Sequence, residues 1–354
     1  MSMNYEQSAK EQAARLKAAG HATILAIESS CDETAAAIVR DGREVVASII
    51  SSQIPLHAMY GGVVPEIASR KHVESIDPVI DECLKKAQMT LADVDAIAVT
   101  YGPGLVGALL IGVSAAKALA YASGKPLIPV NHIEGHVSAN YIAHADLKPP
   151  FVCLVASGGH SHIVRVEDYG VYTLLGQTMD DAAGEAFDKA ARVLGLPYPG
   201  GPLLDKLSRE GNPHALKLPH VQTPGRYDYS FSGLKTALIN AVHKLRQSGQ
   251  DVPAADIAAS FQHAAVELLS DKAVLAAKES GAKVLTLAGG VASNSGLRNT
   301  MNDKCQRAGI RLMMPPPILC TDNAAMIGSA GFYRLMRGEI AGLDLNATPS
   351  LRLV

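Results

Sequence analysis

The 354-residue sequence contains no tryptophan, few aromatic residues and only five cysteines, none of them in a CxxC spacing. Scattered cysteines in an odd number argue against a disulfide framework and against a cysteine-built zinc site, and they suit a reducing cytosol. Charge of one sign is also lacking, since 32 Lys and Arg stand against 34 Asp and Glu. Any contact with nucleic acid therefore needs a local basic patch or the surface of a partner.

Long apolar runs are missing from the sequence as well, and we find none that reaches the roughly 18–20 residues of a membrane span. The first 22 residues have no apolar core of a secretory signal, and the acidic Glu6 and Glu11 count against a mitochondrial transit peptide. We therefore expect residues 1–22 to form a polar helical extension. The sequence predicts a soluble, cytoplasmic protein without membrane association.

What the sequence does contain is an approximate internal repeat. One copy starts at Thr23 and reads TILAIESSCDETAAAIVRDGREVVASII, and the other starts at Phe151 and reads FVCLVASGGHSHIVRVEDYGVYTLLG. In each copy an apolar strand ends in a turn of small residues, a β-branched strand returns, and a glycine-containing turn leads to a third strand. Helix-like sequence follows both triplets. The pattern predicts an α/β protein with two lobes, built from duplicated β-β-β-α-β-α units, and a ligand cleft between the lobes.

Proline content predicts the boundaries within this architecture. The proline-containing stretch at 145–150 divides the chain into a first lobe at 23–147 and a second lobe at 148–354. Residues 197–232 are rich in proline and glycine, so we expect an irregular insertion over the cleft there. A C-terminal helix is expected to begin near Asp322.

Two glycine-containing turns directly follow apolar strands. Ser157-Gly158-Gly159 closes the strand VCLVA, and Gly289-Gly290 closes the strand VLTLA. Glycines allow backbone N–H groups to approach an anion closely, and the serine adds a hydroxyl donor. One such turn alone is more typical of an ordinary hairpin. Two in one two-lobed chain favour a phosphate or nucleotide cleft.

Two histidines in the segment NHIEGHVSAN suggest a metal site. His132 and His136 are spaced i, i+4, which on a helix brings two imidazoles within reach of one metal ion. The zincin motif HExxH places a glutamate directly after the first histidine, whereas Glu134 lies about 200° around the helix from His132 and cannot serve as the protease base. Asp322 is the best third ligand, although a role as helix cap explains it equally simply. Two histidines and one carboxylate form an open site that suits iron(II) or zinc.

Four other carboxylates are candidates for a nucleotide cleft. Asp32 and Glu33 lie in the turn of the first repeat, where an ATPase of this architecture places its first phosphate loop. Asp188 and Asp205 could bind ribose hydroxyls or orient a nucleophile. Periodicity alone favours solvated helix positions for both, but the sequence leaves both interpretations open.

Seven motifs together carry a family resemblance over residues 23 to about 335, and they occur in the following order: ESSCDETAAAIV, HIEGH, LVASGGH, AGEAFDKAARVLGLPYPGGP, YDYSFSGLKTA, LAGGVASNSGLR and CTDNAAMIG. The chain closely resembles the bacterial TsaD family, the tRNA threonylcarbamoyladenosine transferases of the ASKHA (actin/hexokinase-like) fold. The resemblance implies transfer of a threonylcarbamoyl group from threonylcarbamoyl-AMP to N6 of the adenosine 3′ of the anticodon, in tRNAs that read codons beginning with A. AMP is released. Family members were once described as O-sialoglycoprotein endopeptidases, a label that the position of Glu134 weighs against.

The resemblance also implies site residues, a cofactor and partners. His132, His136 and Asp322 would hold one divalent metal ion, iron(II) or alternatively zinc. The residues that would bind the adenylate fall into three groups: Val155, Ala156, Ser157, Gly158 and Gly159 at the phosphate and carbamoyl group; Asp188 and Asp205 at the ribose; Gly201 and Asn294 at the adenine. Asp32 or Glu33 would polarise the attacking amine. The family works on tRNA with a catalytically silent TsaB-like paralogue and a TsaE-like ATPase.

Two other functions are compatible with parts of the sequence. An ASKHA sugar kinase or ATPase would explain the repeat and the glycine turns, but it would leave the two histidines and Asp322 without a role. A metalloprotease is suggested by HIEGH alone.

Overall fold

The computed structural model describes residues 5–219 and 223–354. The helices are α1 (Tyr5–Ala19), α2 (Ile54–Ala58), α3 (Pro65–Ala87), α4 (Val106–Ser123), α5 (His132–Ala143), α6 (Ala183–Val193), α7 (Gly200–Ser208), α8 (Ser232–Gln247), α9 (Ala254–Glu279), α10 (Ser295–Ala308) and α11 (Ala324–Arg337). The strands are β1 (Thr23–Glu28), β2 (Glu33–Arg40), β3 (Glu44–Ser52), β4 (Ala96–Gly102), β5 (Leu127–Asn131), β6 (Phe151–Ala156), β7 (Ser161–Asp168), β8 (Val171–Gln177), β9 (Val284–Ala288) and β10 (Arg311–Met313).

The strands form two sheets of the same topology. The first has the order β3-β2-β1-β4-β5, and the second has the matching order β8-β7-β6-β9-β10. In both sheets the first strand of the triplet pairs antiparallel with the second strand and parallel with the fourth. The central strands β1 and β6 are apolar and buried along almost their whole length, as is typical of strands with both faces covered. The predicted duplication and the two-lobed ASKHA fold class are confirmed.

The chain divides into two compact units, Met1–Leu147 with Thr321–Val354, and Lys148–Cys320. The expected second lobe, 148–354, therefore ends too late, because α11 packs in the first unit against α5, β1 and β2. Glycine makes this packing possible. A Cβ atom at Gly328 would lie 2.6 Å from Val39, so only the bare backbone fits against the sheet at this position. No local feature of the sequence predicts that residues 321–354 belong to the first unit.

The N-terminal extension is a helix that packs on the first unit. Tyr5, Ala9 and Ala13 of α1 are buried, and the Tyr5 hydroxyl donates a hydrogen bond to the Lys125 carbonyl at 3.0 Å. At its other end, Lys17 donates to the carbonyl of Arg337 at the end of α11. The extension therefore adds to the core of this unit, which the polar composition of the segment does not suggest.

The expected irregular insertion at 197–232 contains a regular helix, α7. After α7 the described residues up to Phe231 form turns and one isolated bridge, between Thr178 and Tyr229. Residues 220–222 of this segment lie outside the described residues.

One helix differs from the expectation about apolar runs. Over its 18 residues α4 has a mean hydropathy of 1.5, which by length and composition is enough to cross a membrane. In the structure α4 packs against α3 and β4. Since core helices of globular proteins have the same composition, this is weak evidence for a membrane span.

Candidate functional site

Helix α5 carries both histidines, and His132 is its first residue. The Asn131 side chain caps the helix, since its Oδ1 accepts hydrogen bonds from the backbone N–H of Ile133 (2.8 Å) and Glu134 (3.4 Å). His132 and His136 follow one turn apart, and both are buried. The polar histidines therefore lie inside the first unit rather than on a solvated helix face.

The structure brings both histidines together with Asp322. One ligand atom from each of the three residues lies within 4.8 Å of the others. The Asp322 Oδ1 is 3.2 Å from the His136 Nε2 and 3.5 Å from the His132 Nε2. Asp322 keeps 23% of its side chain exposed, so the cluster is open on one side. This donor set of two nitrogens and one oxygen can hold a divalent metal and leave positions for a substrate.

The alternative interpretation of Asp322 as the cap of α11 is wrong. The cap is Asn323, whose side chain accepts a hydrogen bond from the Met326 N–H at 2.9 Å. The Asp322 carboxylate is directed instead toward the histidines, so capping does not account for an acidic residue at this position.

His136 offers a direct test of whether a metal fits. Both of its ring nitrogens are buried and, within the described part of the chain, have no hydrogen-bond partner of acceptable geometry. Buried polar atoms are almost always satisfied in folded proteins. A metal ion bound at one of these nitrogens would satisfy it, so the residues present fit a metal.

A second layer of contacts holds His132, and sequence reasoning did not find it. The buried Glu28 places its Oε2 3.0 Å from the His132 Nδ1, and Thr100 donates a hydrogen bond to the same oxygen at 2.7 Å. A carboxylate on the far nitrogen is the usual partner of a metal-binding histidine, because it fixes the tautomer and the ring orientation. The one available signal was a charged residue at the end of the apolar strand TILAIE.

The charges around His132 favour a bound cation. Burial alone lowers the pKa of the imidazole, but the carboxylates of Asp322 and Glu28 more than offset it and raise the pKa of His132 to about 9. For Glu28, burial raises the pKa, yet the neighbouring His132 overcomes this effect and the net direction is downward. Without a metal, the site therefore holds a proton on His132 at neutral pH. A metal would replace that proton.

Glu134 points away from the cluster, as its position on the helix predicted. It is buried and forms an ion pair with the Arg334 guanidinium at 2.6 Å. Burial raises the pKa of Glu134 despite this pair. Engaged with α11, Glu134 is unable to act as the base of a metalloprotease.

The two carboxylates of the first turn differ in their surroundings. Asp32 is buried, and its backbone carbonyl accepts a hydrogen bond from Gln53 N–H. Burial and the nearby charges of Asp322 and Asp32 raise the pKa of Glu33 to about 10. In the metal-free chain Glu33 is therefore a neutral acid at pH 7 and a poor acceptor for a proton from an amine.

In the second unit, the turn at Ser157-Gly158-Gly159 is a closed hairpin between β6 and β7. Ser157 N–H donates to the carbonyl of His160 at 2.8 Å, and His160 N–H donates to the Ser157 Oγ at 3.2 Å. Gly158 and Gly159 are exposed, and a Cβ atom at either would meet nothing within 4 Å. The backbone of this turn is therefore that of an ordinary hairpin. The two glycines are at the same time accessible to an anion.

The N-terminus of α6 lies directly behind this turn. Gly184 N–H donates to the Ser157 carbonyl at 3.1 Å, and a Cβ atom at Gly184 would lie 2.7 Å from the same oxygen. The second glycine turn reaches the same strand end, since Gly289 has φ +85° and lies against the Ala156 carbonyl. Backbone N–H groups at a helix N-terminus favour negative charge. We did not single out Gly184 from the sequence, where it reads as one more small residue of a helix.

The two aspartates expected at the ribose are both engaged in hydrogen bonds within the second unit. Asp188 Oδ1 accepts the N–H groups of Gly200 and Gly201, each at 2.9 Å, and so caps α7. Asp205 accepts a hydrogen bond from the Ser295 hydroxyl at 2.8 Å. Although burial opposes it, hydrogen bonds from Ser295 and Arg209 lower the pKa of Asp205. The interpretation of both aspartates as solvated helix positions is therefore wrong.

Asn294 lies beside the second pair. Its Oδ1 caps α10 by accepting from Leu297 N–H at 2.9 Å, and its Nδ2 donates to the Gln262 Oε1 at 2.7 Å. The described contacts of these residues shape the ends of α7 and α10, and contact with an adenylate stays a prediction.

Comparison with known proteins agrees with this geometry. The family model of TsaD, tRNA N6-adenosine threonylcarbamoyltransferase, matches residues 44–329. A tRNA N6-adenosine threonylcarbamoyltransferase of Clostridium perfringens (strain 13 / Type A) is 58% identical over 331 residues, covering 93% of this chain and 98% of the relative. The protein of the same description from Clostridioides difficile (strain 630) is 57% identical over 330 residues, with the same two coverages.

Solved structures resemble the chain in fold alone. The crystal structure of T. kodakarensis HypF matches at a TM-score of 0.62 and 15% identity, covering 89% of this chain and 47% of that one. The activator of 2-hydroxyisocaproyl-CoA dehydratase from Clostridium difficile with bound ADPNP has a TM-score of 0.52 and 14% identity, covering 89% of this chain and 96% of that one.

Proposed function

The chain belongs to the TsaD family of tRNA N6-adenosine threonylcarbamoyltransferases, and we propose that its donor is threonylcarbamoyl-AMP. N6 of the adenosine 3′ of the anticodon forms a bond to the carbamoyl carbon, the bond from that carbon to the phosphate oxygen breaks, and AMP leaves. The N6 proton passes to a carboxylate or to solvent.

The observation that carries the proposal is the His132, His136 and Asp322 cluster, because neither a sugar kinase nor an ATPase needs it. Release of AMP that depends on tRNA tests it, and ADP formation from ATP with a sugar would contradict it.

We propose iron(II) as the metal of this cluster, with zinc as the alternative. When bound, the metal supplies Lewis-acid polarisation of a donor oxygen. His132, His136 and Asp322 would hold it, and Glu28 would keep the His132 tautomer fixed through its Nδ1. The open side at Asp322 supports a role in catalysis rather than a closed structural site.

The adenylate is proposed to lie on the turn of Ser157, Gly158 and Gly159. The donor is already an activated mixed anhydride, so the chain has to position N6 and stabilise negative charge on the carbamoyl oxygen and the leaving phosphate. Accessible backbone at the two glycines and the N-terminus of α6 behind them support this placement. Asp32 or Glu33 is proposed to polarise the amine, since Asp32 is buried and Glu33 lies close enough to Asp322 to be affected by its charge.

A basic surface in the second unit is proposed to bind the tRNA. Residues 189–246 contain nine Lys and Arg but only three Asp and Glu, in a chain whose net charge is −2. In the structure α6 packs against both α7 and α8, and all three helices pack on α9. The ends of α6 and α8 meet where the Arg246 guanidinium donates to the Val193 carbonyl at 3.0 Å. Exposed cations on these helices or directly after them include Arg192, Lys206, Arg209, Lys244 and Arg246.

Neutralising Lys244 and Arg246 together should weaken tRNA binding uniformly across tRNA sequences, because phosphate contacts carry no base information. The slope of log K against log salt should fall by about 1.4–1.8, the contribution of two phosphate contacts. The matched control is the double variant Lys10→Ala, Arg15→Ala, which removes two exposed cations from α1. Filter binding over a salt series measures both. Equal losses in the two variants would show that only net charge matters and that α8 is not the tRNA surface.

A TsaB-like paralogue is proposed to bind the α3–α4 face of the first unit. Val73, Val106 and Leu110 expose 59%, 53% and 39% of their surface there. The helices are in close contact next to this patch, since a Cβ atom at Gly107 would meet the Ser69 side chain. Exposed apolar side chains that cluster on a surface mark a protein interface. A TsaE-like ATPase and a cytoplasmic location rest on the family resemblance.

The change Val106→Glu should abolish binding of the paralogue while leaving the fold intact, because an acidic residue is favourable in the first turn of a helix. The matched control is Val171→Glu, which places the same charge on an exposed valine of the second unit. Size-exclusion chromatography of the mixed proteins measures binding. Complex formation by the Val106→Glu variant at the wild-type level would rule out this face.

A further inference from the structure

The segment 345–354 runs along the ends of two strands of the first sheet. Thr348 N–H donates to the carbonyl of Tyr101 in β4 at 2.7 Å. One residue further, the carbonyl of Pro349 accepts a hydrogen bond from Gly104 N–H at 3.1 Å. The segment, called the strap below, is thus fixed to the loop that follows β4 although it forms no regular element of its own.

The strap also reaches the start of the helix that carries both histidines. The Nδ2 of Asn131 donates to the carbonyl of Arg352 at 3.0 Å. The Oδ1 of the same side chain caps α5 through Ile133 and Glu134. One amide group therefore joins the strap to the first turn of α5, and the residue after it is His132.

A second line of contacts leads from the strap to the same histidine. The loop residue Gly104, which donates to Pro349, packs against Ser30 so closely that a Cβ atom would lie 2.5 Å from the Ser30 carbonyl. The next residue, Leu105, donates its N–H to that carbonyl at 2.8 Å. The Ser30 hydroxyl lies 3.1 Å from the His132 Nδ1. Both lines end on the imidazole that Glu28 orients.

His132 needs such support because it is the first residue of its helix. The first turn lacks the backbone hydrogen bonds that fix the helix interior, so a side chain there is held by its cap and by outside contacts. Functional ligands must be held to within about 0.5 Å of their working geometry by the residues around them. His136, one turn further in, has the helix itself as its support.

We propose that Asn131 is a positioning residue for the metal cluster, and that it acts by coupling the first turn of α5 to the Arg352 carbonyl of the strap. The inference rests on the metal site of the proposed function. It predicts that metal affinity depends on a segment of the chain that contains no ligand.

Two changes break this one contact from opposite sides. Asn131→Ser keeps an oxygen that can cap the helix but is too short to reach the strap, and it introduces no charge. Removal of residues 351–354 deletes the acceptor and leaves Asn131 intact. Each change should weaken binding of cobalt(II) by up to about tenfold, because removal of a direct partner of a ligand costs about ten- to a hundredfold and Asn131 acts one step further away. The visible absorption of the bound ion should change as the ligand geometry loosens. The variant that carries both changes should bind cobalt(II) as tightly as the single variant with the lower affinity, because both changes break the same contact.

The measurement is a chelator competition for cobalt(II) with the full chain and each variant, with thermal unfolding as the check on the fold. Asn294→Ser is the matched control. Like Asn131, Asn294 caps a helix and donates a hydrogen bond from its amide, here to Gln262 in the other unit. The cobalt affinity of this variant should equal that of the wild type. Additive losses in the double variant, or wild-type affinity in both single variants, would overturn the coupling. The variant His132→Ala separates failure of the coupling from failure of the metal site. If His132→Ala loses cobalt, the metal site stands even when the coupling is overturned. If His132→Ala retains cobalt, the metal site itself is wrong.

Discussion

Replacement of Asp322 by alanine should abolish stoichiometric metal binding and threonylcarbamoyl transfer while the protein stays folded. Alanine at His132 or His136 should have the same effect, because each change removes one of the three ligand atoms of the cluster. The loss in metal affinity should exceed about a hundredfold, since even partners of ligands contribute ten- to a hundredfold. Elemental analysis after dialysis measures occupancy, and circular dichroism checks the fold.

Glu33→Gln is the matched control for these variants. Glu33 is close enough to Asp322 for that charge to raise its pKa. Glu33 does not belong to the group of His132, His136 and Asp322, so the isosteric amide should leave metal occupancy unchanged. Because Asn323 caps α11, the alanine at 322 leaves the helix start intact. Full occupancy in Asp322→Ala would show that the three-ligand assignment is wrong.

Gly158→Val should abolish transfer by blocking the adenylate while metal occupancy stays at the wild-type level. The position is exposed, with nothing within 4 Å of a new Cβ atom, so the fold accommodates the side chain. The bulk instead occupies the space through which a phosphate would approach the backbone N–H groups. Loss of two charge-assisted hydrogen bonds of about 1.5–3 kcal/mol each weakens AMP binding by at least about a hundredfold. Calorimetry with AMP measures this.

Gly184→Ala separates a blocked ligand from a strained fold. Its Cβ atom would lie 2.7 Å from the Ser157 carbonyl and 2.8 Å from the Gly158 Cα, so the turn has to move and the melting temperature should fall. Gly158→Val should melt like wild type and still fail to bind AMP. Unchanged AMP affinity in Gly158→Val would leave the turn as an ordinary hairpin without a ligand.

The repeated strand triplets could be read from the sequence because each depends on local pattern. Apolar runs such as TILAIE and FVCLVA predict central strands, and the turns that follow fix the antiparallel return. The return of α11 to the first unit depends on a different cause, the fit of bare backbone at Gly328 against Val39. Such a fit is a property of two distant surfaces, which the local sequence does not contain.

In the site, too, the features that depend on local sequence could be predicted and those that depend on tertiary contacts could not. The spacing of His132 and His136 predicts two ligands on one helix face, and the angular position of Glu134 predicts that it points away. Glu28 went unnoticed because its role comes from β1 lying beside the start of α5, a tertiary relation. The hydrogen bonds of Asp188 could not be predicted for the same reason, since the N–H groups that it caps belong to α7.

The most direct test of the assigned activity is mass analysis of tRNA nucleosides after the chain has been incubated with unmodified tRNA, threonylcarbamoyl-AMP, iron(II) and the proposed TsaB-like and TsaE-like partners. A matched reaction contains the Asp322→Ala variant. With wild-type protein we expect threonylcarbamoyladenosine at the position 3′ of the anticodon and one AMP released for each modified nucleoside. With the variant we expect neither product. Unmodified adenosine in the wild-type reaction, with a metal-loaded chain and bound tRNA, would contradict the assigned activity.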